Sequence, residues 1–125
     1  MGIIDNKFKR LEILNKYNGR CAYCGKKLTI ETLSIDHIEP RFRKTTDEQL
    51  KWYNRERGEN KMENYNPCCK SCNSSKSTFT IEKFREEISK KQQRLLRDNS
   101  TYRLLLRFGL VKQMPNNVVF YFERF

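Results

Sequence analysis

Two short cysteine pairs, "CAYC" (Cys21, Cys24) and "CKSC" (Cys69, Cys72), constrain this chain more than any other feature. The Cys-x-x-Cys spacing brings two thiolates onto one tight turn, and Gly25 directly after the first pair supports such a turn. In a reducing compartment, two such pairs read as one tetrahedral zinc site before they read as disulfides. Redox use of either pair would need a thioredoxin-like βαβ setting, which the flanking sequence does not offer. The fifth cysteine, Cys68, is expected to be a small buried apolar residue. It competes with Cys69 as a ligand, but Cys69 keeps the spacing to Cys72.

The chain has reason to need a metal. It is 125 residues long, 37% hydrophobic and 33% charged, which is a thin supply of core for a small domain. A structural metal or disulfides offset such a deficit. The length suits a single domain over residues 1–125. The formal charge is +11, which makes a polyanion the leading partner class, with nucleic acid first and an anionic membrane surface second. A solvated basic surface is the plainer alternative. No apolar run approaches the roughly 18 residues of a membrane span. "MGIIDNKFKR" has no secretory h-region, and Asn6 stands where a myristoylation motif wants Ser or Thr. These features lead to the expectation of a soluble, cytoplasmic protein.

The pattern along the chain predicts an α+β order. Residues 5–17 read as a helix capped by Asp5, with Phe8, Leu11 and Leu14 on one face and Gly19 as the stop. "LSIDHI" reads as a short strand ending near Pro40. Residues 41–62 read as a polar loop with a helical turn near Asp47–Tyr53, Trp52 and Tyr53 packing under the loop rather than stacking on a base. "ENYNPCC" supplies a second strand, and a helix follows from about Lys70. Beyond residue 78, two helices are expected, the second capped by Ser100 and stopped by Gly109, and then a terminal strand in "VVFYFERF".

The only histidine, His37, sits in "IDHIEP" between Asp36 and a basic run. Set in order, Cys-x-x-Cys, Asp36-His37, Asn64 and Cys-x-x-Cys-Asn73 resemble the zinc-containing branch of the HNH endonuclease family, built on a ββα-metal core. The matching segments are "CAYCG" (21–25), "IDHIEP" (35–40), "EN" (63–64) and "CKSCNSSK" (69–76), so the resemblance covers about residues 17–78. The family's final histidine is Asn73 here, and the glycine pair that often follows the proline is missing. The fold implied is a small ββα-metal core around the four-cysteine site, with an N-terminal helix and a C-terminal supporting extension over about 79–125.

The chemistry of the residues runs alongside the resemblance. Hydrolysing a phosphodiester needs a nucleophile, a Lewis acid and stabilisation of growing negative charge. His37 is the one imidazole available to take a proton from water. Asp36 and Asn73 offer hard oxygen donors that suit Mg²⁺, Mn²⁺ or another divalent metal. Adjacent strand residues point to opposite faces, so a twist or bulge is expected to bring Asp36 and His37 to one site. The resemblance implies His37 as general base, Asp36 and Asn73 as ligands of the catalytic metal, and Asn64 as the residue that orients the histidine, with Asn66 as its rival. It also implies DNA as substrate and 5′-phosphate and 3′-hydroxyl products. Arg41, Arg43, Lys44 and Lys76 are candidate phosphate contacts. A non-catalytic zinc module that binds nucleic acid is the alternative. RNA is a second substrate class that the charge permits. A monomer would carry one active site, and a homodimer two.

Overall fold

The computed structural model describes residues 6–125, which divide into two compact units, one running up to Ile81 and including Phe120–Phe125, the other spanning Glu82–Val119. The cap expected at Asp5 lies outside the described residues. Asn6 caps helix α1 (Lys7–Leu14), its side chain accepting from the amides of Phe8 and Lys9 at 2.9 and 3.3 Å. Only the last turn of this short helix reaches the core, through Ile13 and Leu14, and Phe8 is 82% exposed rather than part of an apolar face. A 3₁₀ turn (Asn15–Tyr17) follows, and Asn18 (φ 58°) and Gly19 (φ 72°) end it in left-handed conformations.

The first unit holds a two-stranded antiparallel sheet of β1 (Ser34–His37) and β2 (Tyr65–Cys68), with Asp36 opposite Asn66 and His37 opposite Tyr65. Helix α3 (Lys70–Lys76) follows β2 after one residue. The ββα order predicted from the sequence is therefore present, as is the α+β class. Between the strands, helix α2 (Asp47–Trp52) is closed by a reciprocal capping box of Thr46 and Gln49. It buries only Leu50. Trp52 and Tyr53 do not pack under the loop, because they stand at the helix end, 84% and 65% exposed.

The terminal segment corrects another expectation. "VVFYFERF" forms a 3₁₀ helix at Tyr121–Arg124 rather than a strand. Its amides make only two bonds to the first cysteine turn, Tyr121 N to Tyr23 O and Phe122 N to Ala22 O. The Glu123 carboxylate then folds back to accept from Phe120 N at 2.8 Å, which curls the chain. The alternating aromatics that suggested a strand instead pack as a cluster, with Phe120 edge-on to Tyr23 at 5.3 Å and Phe125 beside Tyr17 at 5.3 Å.

The second unit holds all of α4 (Ile81–Asp98) past its first residue, and then α5 (Ser100–Arg107). Asn99, not Ser100, caps α5, accepting from Tyr102 N at 2.8 Å. Gly109 (φ 71°) ends it as expected. Among the described residues no helix is long and apolar enough to cross a membrane.

Candidate metal centre and active site

The four cysteines of the two pairs converge. The Sγ atoms of Cys21, Cys24, Cys69 and Cys72 all lie within 4.8 Å of one another, and Cys24 and Cys69 are 3.8 Å apart. Sulfurs about 2.3 Å from a tetrahedral zinc would be about 3.8 Å apart, so the donor set fits such an ion in both chemistry and size. Local backbone explains the convergence. Gly25 N bonds back to Cys21 O at 3.0 Å, and Gly25 has φ 78°. A side chain at Gly25 would also place its Cβ 3.2 Å from the Tyr121 ring. In the second pair, Cys69 is the N-cap of α3, and its sulfur accepts from Cys72 N at 3.4 Å. A hydrogen bond shared by the two side chains pulls the Cys21 thiol down and pushes the Cys72 thiol up, so of this pair Cys21 more readily takes the thiolate form that binds metal. Cys68 is wholly buried on β2 outside this cluster, and burial pushes its thiol up, as suits a packing residue.

Asp36, by contrast, lies in a buried polar chain. It is 3% exposed. Oδ2 accepts from the Tyr23 hydroxyl at 2.5 Å, and the Lys76 ammonium lies 3.2 Å from both carboxylate oxygens. The Tyr23 hydroxyl accepts from Asn66 Nδ2 at 3.2 Å, and Lys16 Nζ donates to Asn66 Oδ1 at 3.3 Å and to Tyr65 O at 2.8 Å. Asn66 is thereby spent on the interior and takes no part in holding the loop. Burial pushes the Asp36 carboxyl above its ordinary range, while Lys76 and Tyr23 pull it back. Lys76 overturns its expected place as a phosphate contact. It is 0% exposed and also donates to the carbonyls of His37 and Ile38 at 3.2 and 3.1 Å. One helical turn past Asn73, its stem runs inward to the end of β1, where a carboxylate and two carbonyls satisfy the charge.

A cavity of about 260 Å³ opens beside this chain. Its lining includes Asp36, His37, Arg41, Arg43 and Asn73. No bulge is needed to bring Asp36 and His37 there: the ladder is regular through the pair His37–Tyr65. His37 is simply the last residue of β1, so the edge of the cavity wraps around the strand end. Its imidazole stands edge-on to Tyr65 at 5.1 Å, and its Nε2 is 2.9 Å from Asn60 Oδ1. Asn64 makes no bond to the imidazole. Its amide clamps Glu39 through N–H and C=O at 2.8 and 2.9 Å and reaches Glu59 O at 2.9 Å. Asn73 sits in the first turns of α3, where Cys69 rather than Asn73 is the cap. Its oxygen and the Asp36 carboxylate are hard donors at one cavity. A carboxylate has about four lone-pair directions, so Asp36 keeps acceptor capacity beyond its present partners. A divalent ion there would lie beside the Lys76 ammonium and compete with it.

Arg41 and Arg43 reach the cavity, and Lys44 is exposed nearby in sequence but does not line it. Arg57 organises this basic loop, donating to the carbonyls of Arg41, Phe42 and Thr45 at 2.6, 2.8 and 2.7 Å and pairing with Asp47 at 2.9 Å. Sequence reasoning did not find Tyr23, Asn60 or Arg57. Tyr23 had one signal, its position inside the first cysteine pair.

Residues 21–79 match the family model described as HNH endonuclease. Among solved structures, the chain is similar to the Type II-C Cas9 enzyme from Actinomyces naeslundii. The identity is 25% and the TM-score 0.49, over 64% of this chain and 8% of that one. The chain thus spans less than a tenth of that protein's length. No curated protein matches.

Proposed function

We propose, from the match of residues 21–79 to the HNH endonuclease model, that this protein is a metal-dependent endonuclease cutting duplex DNA. The observation that carries the reading is one cavity lined by a sole imidazole, two oxygen donors and two arginines. In this reading Cys21, Cys24, Cys69 and Cys72 hold a structural Zn²⁺ that fixes both ends of the ββα core. His37 takes a proton from the attacking water as general base. Asp36 and Asn73 would hold Mg²⁺, Mn²⁺ or a similar divalent ion, which when bound supplies Lewis-acid stabilisation of the phosphate. Arg41 and Arg43 position the DNA backbone at the cavity mouth, and Asn64 braces the loop behind the histidine. The products expected from the family resemblance are 5′-phosphate and 3′-hydroxyl ends. Among the described residues one cavity carries this set of groups, which makes a nick the unit event.

The test is supercoiled plasmid incubated with a divalent metal series. Wild type should give nicked, then linear DNA. His37→Ala should retain zinc and its melting temperature while losing cleavage by about 10²–10⁴-fold, the usual worth of a general base. Wild-type rates in His37→Ala would sink the assignment.

One observation favours a second reading, a non-catalytic nucleic-acid-binding module: the carboxylate assigned to the metal is already bonded to Lys76. That reading expects salt-sensitive binding with no cut in any metal.

A further inference from the structure

The family resemblance assigns the orienting of the histidine to Asn64, but in the structure a different side chain touches the imidazole. We infer that Asn60 is the positioning residue of His37, holding Nε2 so that Nδ1 is the nitrogen offered to water. The inference rests on His37 being the base.

The contact itself is 2.9 Å between His37 Nε2 and Asn60 Oδ1. An amide oxygen accepts, so Nε2 carries the proton and Nδ1 keeps its lone pair. Nδ1 has no hydrogen-bond partner among the described residues. On taking a proton from water, the ring becomes an imidazolium, and the Nε2–H bond to Asn60 is kept and strengthened by the charge. The Tyr65 ring, edge-on at 5.1 Å, limits rotation of the imidazole on another side.

Asn60 is exposed, and an exposed loop amide positions a catalytic group only if the loop is itself fixed. Here it is fixed at two points. Gly58 N donates to Pro40 O at 2.8 Å, and the approach is so close that a Cβ at this position would lie 1.6 Å from the Glu39 carbonyl oxygen. Only glycine lets the strands of the loop touch there. Two residues beyond Asn60's far side, the backbone is turned by Met62–Asn64, and the Asn64 amide bonds both Glu39 and Glu59. Asn60 therefore hangs between Gly58 and Asn64, both anchored to the segment that leaves His37. Asn64 acts one step behind the imidazole, and Asn60 acts on it.

His37 is the only histidine in the chain, so imidazole ¹⁵N NMR needs no assignment. With the ring neutral and no divalent ion added, wild type should show one dominant tautomer, protonated at Nε2. Asn60→Ala should relax toward the mixture of a free imidazole, and kcat on plasmid should fall by about 10–100-fold with KM nearly unchanged. Asn60→Asp keeps the acceptor and should keep the tautomer. Zinc content and melting should not change in either variant, because the side chain is exposed. An Asn60→Ala spectrum identical to wild type would overturn the inference and leave His37 as base intact. Full cleavage by His37→Ala would instead overturn the base itself, and any catalytic part for Asn60 with it.

Discussion

Replacing Lys76 by Met should be among the most damaging single changes in this chain. The ammonium is wholly buried and serves the Asp36 carboxylate and the carbonyls of His37 and Ile38. Methionine fills similar space but donates nothing. Removing one member of a buried ion pair typically costs about 3–5 kcal/mol, because the partner charge stays buried without compensation. Asp36 would keep only the Tyr23 hydroxyl. A domain of this size holds about 5–15 kcal/mol in all, so a drop in melting temperature on the order of 10 °C or more follows. The penalty should depend on pH. Burial already raises the Asp36 carboxyl and Lys76 is the main counterweight, so the variant raises it further. A carboxyl raised in the folded state binds more protons there than in the unfolded chain. Stability is then lost as pH rises from the unfolded value near 3.9 toward the folded one. Urea melts between about pH 4 and 8 should show the cost of Lys76→Met growing with pH. Adding Asp36→Asn removes the stranded charge and should recover part of the loss. A cost below about 1 kcal/mol, or a double variant no better than the single, would refute the buried pair as a stabilising unit.

Two further outcomes follow from the same geometry. Cys24→Ser should abolish stoichiometric zinc and cooperative unfolding, whereas Cys68→Ser should keep one zinc per chain by elemental analysis, since Cys68 lies outside the cluster. Gly58→Ala forces a Cβ onto the Glu39 carbonyl and should cost about 1–3 kcal/mol in denaturant melts, with the His37 imidazole signal moving as the loop shifts.

Much of the centre was readable from spacing, and the reason is physical. A Cys-x-x-Cys turn is local, so its geometry survives any fold that brings the two pairs together. The strand carrying Asp36 and His37 and the helix carrying Asn73 are likewise short elements next to recognisable punctuation, Pro40 and the cysteines. What failed depended on tertiary surroundings. Lys76 reads as a surface charge in "CNSSK", because nothing in that string says that a carboxylate and two carbonyls await it at the end of β1. Asn60 is one of three asparagines in "ENKMENYN", and loop spacing does not tell which of them meets the imidazole. Trp52 has the composition of a packing residue, but the short α2 leaves it beyond the core.

The buried polar chain also bears on what a metal at the four cysteines would do. Tyr23 lies between the two cysteines of the first pair, and its hydroxyl holds the Asp36 carboxylate. Cys69 begins α3, which carries Asn73 and Lys76. Each half of the cysteine cluster thus connects to the proposed active site through a bonded route of one residue or one helical turn. A metal that only stapled the fold could sit anywhere in the core. Here the same four cysteines flank the elements that carry both proposed oxygen donors and the lysine bonded to one of them. The thin hydrophobic supply and the polar site then point the same way: in a small chain with little core to spare, a metal held by the four cysteines would align groups that packing alone would leave loose.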